Sequence, residues 1–225
     1  MTSPLPILSL LETRVLGVLA EKQRTVPDSY PLTLNALISG CNQKSSRDPV
    51  IEASESEIAV ALDSLRVLSL IVETSGGRAS RYGHNIERVL QIPTQSTALL
   101  TMLMLRGPQT AGELRINCER LHKFADISSV EAFLVELAGR AVGGLVVELP
   151  RQPGSRENRW MHLLSGVPVI DERVSANAIS PTPSGEVTVG EIAALKANVA
   201  RLDGEVGELQ TLVDKLYAEL GVSKS

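Results

Sequence analysis

Residues 54–84 read SESEIAVALDSLRVLSLIVETSGGRASRYGH, and the fold follows from this stretch. Its first part predicts a helix, because Ser54 and Glu57 form a Ser-x-x-Glu capping box and apolar residues then recur at helical spacing. The apolar set is Ile58, Ala61, Leu62 and Leu65. Its second part predicts a β-hairpin, because two runs rich in β-branched and aromatic residues flank Gly76-Gly77. The stretch therefore predicts a helix that leads directly into a hairpin.

Two further helices are predicted upstream of this stretch. The run from residue 9, SLLETRVLGVLAEKQ, opens with a second capping box at Ser9 and Glu12. The run from residue 30, YPLTLNALISGCN, places Pro31 in a first helical turn and sets an apolar face at Leu34, Leu37, Ile38 and Cys41. A loop over residues 42–53 then connects to the third helix.

The same order of elements recurs after Pro93. Three more helices are predicted by STALLTMLMLRG, TAGELRINCERL and SSVEAFLVELAGR, and a second hairpin by LVVELPRQPGSRENRWMHLL. The apolar set of the third helix recurs 72 residues later as Val130, Phe133, Leu134 and Leu137. Three helices followed by a hairpin form the winged-helix arrangement. We therefore predict a mainly α-helical chain with small β-hairpins, in which two winged-helix domains span residues 1–92 and 93–165.

The returning strand of each predicted hairpin carries the motif Arg-aromatic-x-His. The two copies lie 78 residues apart, at Arg81-Tyr82-Gly83-His84 and Arg159-Trp160-Met161-His162. Alternate residues of a strand share a face, so we expect the aromatic ring and the histidine together and the arginine opposite. Two interpretations stay open: the ring covers the third helix, or the arginine and histidine form a binding edge.

Three segments resemble a known protein family. They read EKQRTVPDSYPLTLNALISGCNQKSSRDPV from residue 21, RGPQTAGELR from residue 106 and GSRENRWMHLLSG from residue 154. They are similar to the bacterial YceH family, and the Cys-Asn-Gln-Lys loop with its following Arg and Pro is the most specific part. The resemblance covers nearly the whole chain to about residue 166, with Val26 where the family usually has Thr. It implies a tandem winged-helix fold and no particular activity.

The sequence lacks motifs of enzymes and cofactor sites. It contains no glycine-rich nucleotide loop, no nucleophile elbow and no HExxH. The three histidines have no neighbours at zinc-ligand spacing, and Cys41 lies on an apolar helix face, which predicts a buried structural thiol. We therefore predict a protein without enzymatic activity, cofactor or metal. The absence of a secretory signal and of a membrane-length apolar run predicts a cytoplasmic protein.

Two kinds of partner remain open. The predicted outer faces of the third helices lack the Arg, Lys, Asn or Gln that reads base edges; they carry Val60, Asp63, Ser64 and Val67, and Ala132, Val135, Glu136 and Gly139. Phosphate contacts are predicted instead from Asn42, Gln43, Lys44, Arg47, Arg78, Arg81, Arg156 and Arg159. These residues favour a regulator that binds double-stranded DNA. The alternatives are a protein-interaction adaptor that uses the outer helix faces, and a loop in which Asn and Gln bind backbone groups while Lys and Arg are solvated.

The C-terminal part is predicted to be a linker followed by a coiled coil. Residues 166–187 are rich in Pro, Ser, Gly and Ala without a period, and residues 166–225 account for the net charge of −4. Residues 188–220 follow a heptad repeat with β-branched residues at a and Leu at d, a pattern that favours a parallel homodimer. The expected dimerisation residues are Ile192, Leu195, Val199, Leu202, Val206, Leu209, Val213 and Leu216. The alternative is an amphipathic helix that packs on its own domains.

Overall fold

A computed structural model of the chain describes residues 6–75, 79–151 and 154–167. Helices make up about half of these residues, and the strands form two small antiparallel sheets. The predicted linker from residue 168 onward, the predicted heptad helix with its dimerisation residues, and Arg78 lie outside the described residues.

The first half of this body contains three helices, a short fourth helix and a three-stranded sheet. The helices are α1 (Leu10–Thr25), α2 (Leu34–Cys41), α3 (Glu55–Val67) and α4 (Ile86–Leu90), and the strands are β1 (Leu32–Thr33), β2 (Ile71–Thr74) and β3 (Arg81–His84) in the order β1-β3-β2. Both predicted capping boxes form, at Ser9 and at Ser54. Pro31 does not lie in the first turn of α2, because the two residues after it pair with β3 and Thr33 then caps the helix.

The second half repeats this order. Its helices are α5 (Thr94–Arg106), α6 (Ala111–Asn117) and α7 (Ile127–Ala138), and its strands β4 (Val146–Glu148) and β5 (Trp160–His162) form an antiparallel hairpin. Gln109 pairs with Trp160 through two backbone hydrogen bonds of 3.1 and 2.7 Å, in the position that β1 occupies in the first half. Thr110 then caps α6 as Thr33 caps α2. The sequence repeat is therefore also a repeat of backbone pairing.

The two halves share one hydrophobic core. The four predicted core residues of α3 are buried, as are Val130, Leu134 and Leu137 of α7, while Phe133 is half-buried. Helices α1 and α5 pack along each other and are buried over most of their length. They cross where Gly17 has no side chain, since a Cβ there would lie 3.0 Å from Leu105 Cδ2 and 3.3 Å from Met104 Cβ. Within the described part of the chain, the helices are too short or too polar to cross a membrane.

Candidate interaction surface

The guanidinium of Arg47 lies inside the molecule and does not face a phosphate. Its side chain has 0% exposure, and its Nη2 lies 2.6 Å from the Oε2 of Glu21 on α1. Its Nε donates to the carbonyl of Gly40 at 3.1 Å, and its Nη2 also donates to the side chain of Gln43. These contacts correct the prediction for Arg47, because a cation with no solvent exposure is not available to a nucleic acid.

Backbone groups of this loop are held by the amide of Asn42 and by Arg14 of α1. Asn42 and Ala53 exchange two hydrogen bonds of 2.9 Å, from side-chain Nδ2 to carbonyl and from backbone N–H to side-chain Oδ1. The buried Arg14 of α1 donates to the carbonyls of Cys41 and Pro49 at 3.1 and 2.6 Å. The interpretation in which the amides bind backbone groups therefore fits Asn42 but not Gln43, whose side-chain oxygen accepts from Arg47 and Lys22. Its expectation of a solvated arginine does not fit Arg47, which is buried. Among the four predicted loop contacts, Lys44 is the exposed one.

The same loop joins the two halves. The backbone N–H of Asp48 donates to the carbonyl of Leu105 at 2.8 Å, and Arg106 Nη2 donates to the hydroxyl of Ser46 at 2.8 Å. Residues 42–53 therefore bind α1 on one side and the end of α5 on the other. The segment that most specifically resembles the YceH family therefore has a structural role, because it connects the two halves.

The carboxyl of Glu21 on α1 forms the ion pair with Arg47 of this loop. Burial opposes its ionisation, but the hydrogen bonds and the positive charge of Arg47 outweigh that cost, so the pKa of Glu21 lies below its ordinary value. The pair is therefore ionised and internally satisfied at neutral pH.

The predicted wing cations lie on separate elements and two of them are bonded. Arg81 donates to the carbonyl of Pro31 at 2.9 Å, and Arg159 forms an ion pair of 3.2 Å with Glu113 of α6. Arg156 is exposed. The predicted phosphate contacts are thus divided between the loop, β3 and the second hairpin.

The Arg-aromatic-x-His motif shows the predicted alternation. Trp160 and His162 are buried on one face of β5 while Arg159 is exposed, and Arg81 is exposed on β3. The Nε2 of His84 lies 2.7 Å from the side-chain oxygen of Gln23. Burial lowers the pKa of His84 and of His162 to about 4 in each case, with a further effect of Arg24 on His84. Both histidines are therefore neutral at pH 7, with His162 buried and His84 half-buried.

The outer face of α3 is exposed and apolar at two turns. Val60 is 69% exposed and Val67 is 82% exposed, and Val135 on α7 is 61% exposed. Arg66 lies beside this face and was not among the residues predicted for it. Its guanidinium bridges two carboxylates, with Nη2 2.7 Å from Asp63 Oδ1 and Nη1 2.9 Å from Glu73 Oε2. The spacing of Asp63 and Arg66 on one helix indicates the first contact, but the second requires the fold.

Between α3 and the hairpin lies a concavity of about 140 Å³, which we call the α3–wing groove. It is lined by Leu34, Ala59, Leu62, Asp63, Arg66, Ile71, Glu73 and Tyr82. Burial, together with the negative charge of Glu73, raises the pKa of Tyr82. A hydrogen bond from the Ser80 hydroxyl is the main cause that lowers the pKa of Glu73, and Arg66 adds to it. The groove thus has an apolar floor and is bordered by two carboxyl groups, those of Asp63 and Glu73.

A larger concavity of about 400 Å³ lies at the seam between the halves. Leu90, Val142, Leu163 and other apolar residues line it, together with Arg140. The guanidinium of Arg140 donates to the carbonyls of Leu90 and Gln91 at the end of α4. Arg140 therefore acts as a helix cap that links the halves, which its sequence position did not indicate.

These features define a helical body of two related halves, with an exposed apolar and acidic surface on α3. Residues 8–155 match the family described as "Protein of unknown function, DUF480". A UPF0502 protein of Dechloromonas aromatica is 63% identical over 213 residues, which cover 95% of this chain and 97% of that protein. UPF0502 proteins of Methylibium petroleiphilum and Burkholderia orbicola are each 58% identical and cover 98% and 96% of this chain, and 93% and 90% of their own lengths. The chain belongs to the DUF480/UPF0502 family, in agreement with its resemblance to YceH.

Proposed function

We propose that this chain is a tandem winged-helix protein that acts as a non-enzymatic adaptor and docks a protein partner on the outer face of α3. The exposure of Val60 and Val67 carries this proposal. A winged-helix protein that reads DNA places this helix in the major groove, where polar and basic side chains meet base edges. Valines at these positions fit a protein surface instead.

The winged-helix assignment is supported by the repeated order of the elements. Each half has three helices, a residue pair or bridge before the second helix, and an antiparallel hairpin after the third. This assignment places β2–β3 and β4–β5 as the two wings.

Charge on α3 also favours a protein partner over a nucleic acid. Glu52, Glu55, Glu57 and Asp63 are exposed at or near the helix. Carboxylates at these positions repel a phosphate backbone, whose neutralisation by Lys and Arg supplies most of the non-specific affinity for DNA. Arg66 offsets only part of this charge, because its single guanidinium is shared by the carboxylates of Asp63 and Glu73.

Binding of double-stranded DNA is the second candidate function. It is favoured by Arg115, Arg120 and Lys123, which are exposed on α6 and the turn that follows it. Within the described residues these three side chains form no ion pair. Affinity that falls steeply with salt, and that weakens when Arg120 and Lys123 are changed to Ala, is the result expected for this candidate.

Site-specific photo-crosslinking in cells tests the main proposal. A photoreactive residue at position 60 or 67 should capture the same protein, and one at the exposed Val26 at the end of α1 should not. The change Val60→Asp should abolish capture from position 67, because it places a charge in the contact. Capture of nucleic acid but no protein from positions 60 and 67 would contradict the proposal.

We further propose that the chain is a homodimer through residues 188–220. The support is the heptad pattern alone.

A further inference from the structure

We infer that the α3–wing groove recognises a cationic amphipathic helix, whose apolar side chains contact Val60 and Val67 and whose lysine or arginine binds between Asp63 and Glu73. The inference rests on the proposed function of this surface and names the chemistry of its partner. Charge complementarity and the spacing of the exposed residues carry it.

The groove holds more negative than positive charge. Asp63 and Glu73 lie on α3 and β2, and both bind the same Arg66. The side chain of Asp63 is 69% exposed, so its second oxygen remains open to solvent and to an incoming cation. Two carboxylates held by one guanidinium leave room for a second charged donor, since each carboxylate can accept several hydrogen bonds.

Tyr82 provides a wall for the same cation. It is directly opposite Glu73 in the β2–β3 register, so the ring and the carboxylate lie on the same face of the hairpin. Its ring is half-buried against the groove floor. A lysine or arginine head that reaches Glu73 also reaches the ring, and cations bind favourably over aromatic faces.

The exposed residues on the outer face of α3 follow the period of a helix. Ser56, Val60, Asp63 and Val67 are separated by four, three and four residues, which places them on one face of α3. They span about 16 Å at 1.5 Å per residue, or about three helical turns. An amphipathic helix with apolar residues at matching intervals is the ligand that such a surface fits.

The second half provides a natural comparison. At the offset of 72 residues, Asp63 and Arg66 correspond to Val135 and Ala138, while Glu148 pairs with Trp160 as Glu73 pairs with Tyr82. Helix α7 therefore has no carboxylate at the position of Asp63 that could bind a cation together with Glu148. The cation site belongs to the first half.

Titration of the full chain with designed peptides tests the inference. The probes are an amphipathic helix of Leu and Lys, about 18 residues long, and a counterpart of Leu and Glu. We expect the Leu-Lys peptide to bind and to shift the backbone amide resonances of α3, β2 and β3. Asp63→Asn with Glu73→Gln should weaken this binding about tenfold, because both anchors lose their charge. The matched variant Glu131→Gln with Glu136→Gln on α7 should change it less than about twofold.

Three outcomes would overturn the inference: equal affinity for the two peptides, no effect of the Asp63 and Glu73 changes in a variant with a native circular dichroism spectrum, or resonance shifts confined to other elements. Peptide binding that depends on Asp63 and Glu73 supports the inference even if crosslinking from position 60 captures no protein. That second result would count against the proposed function alone.

Discussion

Arg47 shows why the identity of a side chain does not determine its role. The residue lies in a loop of polar residues beside the exposed Lys44, yet its guanidinium contacts Glu21, Gly40 and Gln43. Each of its donors finds an acceptor within the protein, so its charge contributes to the fold and not to a surface potential. The fold of α1 against α2 decides this outcome.

Replacement of Arg47 by Ala should destabilise the protein by about 3 kcal/mol, because it leaves the largely buried Glu21 without its fully buried partner and with Lys22 as its remaining cation. Lys44→Ala is the matched control, since Lys44 is exposed and should change the free energy of unfolding by about 0.5 kcal/mol or less. Urea denaturation of both variants measures the difference. Equal stability of the two variants would show that the Arg47–Glu21 pair has no structural weight.

The buried His162 and the half-buried His84 predict a loss of stability in mild acid. Their pKa values are about 4 in the folded protein, below the value of about 6.5 for an exposed histidine. Between pH 6.5 and 4 the unfolded chain binds protons that the folded protein does not, so the free energy of unfolding falls as pH falls. The effect is roughly 2 kcal/mol per histidine at pH 5. Denaturation at pH 7.5 and pH 5 measures the difference in the free energy of unfolding. The variant His84→Gln with His162→Gln should show a smaller difference between the two pH values. An unchanged difference would show that these histidines do not cause the loss of stability.

At the scale of elements, the packing of α1 against α5 holds the two halves of the described body together. At Gly17 of α1, Leu105 and Met104 of α5 lie so close that a side chain would have little room. The loop of residues 42–53 adds contacts between the halves, because Asp48 and Ser46 form hydrogen bonds with the end of α5. The positions of α3 and α7 relative to the core therefore depend on this crossing.

Replacement of two glycines by alanine distinguishes the effect of packing between α1 and α5 from the effect of helix propensity. Alanine favours a helix over glycine by up to about 1 kcal/mol at either site. A Cβ at Gly112 of α6 meets no atom closer than 3.8 Å, whereas one at Gly17 meets Leu105 Cδ2 at 3.0 Å. Gly112→Ala should therefore raise the melting temperature and Gly17→Ala should lower it, with a difference of about 2 kcal/mol in stability. A rise in both variants would mean that α1 and α5 pack less tightly at this point.

The elements that sequence predicted correctly are those with local signals. The capping boxes of α1 and α3, the apolar periods of α3 and α7, and the alternation along β3 and β5 each depend on residues close in the chain. Strand β1 and helix α4 were not predicted, because β1 exists through its pairing with β3, and α4 is only a few residues long. The α3–wing groove was missed for the same reason, since Glu73 and Arg66 meet only when the hairpin folds back on α3.

At the scale of the whole molecule, the described body is one compact unit that continues into a C-terminal segment of different composition. The relatives match this chain over 213 to 221 residues, so the similarity extends beyond the described body. A dimer of this chain would present two copies of the proposed α3 surface and would gain avidity for a repeated target. The heptad pattern suits that arrangement.

The full chain should therefore be a dimer, and a chain that ends at Gly166 should be a monomer. Residues 188–220 would form a helix of roughly 50 Å at 1.5 Å per residue, and each seam residue buried between two chains contributes on the order of 1.5 kcal/mol or more. Light scattering on both chains measures the masses. Leu202→Asn with Leu209→Asn should also dissociate the dimer, because polar side chains then occupy two d positions. Thr211→Ala, at an f position outside the seam, should not. A full chain that is monomeric at micromolar concentration would show that the apolar stripe serves another contact.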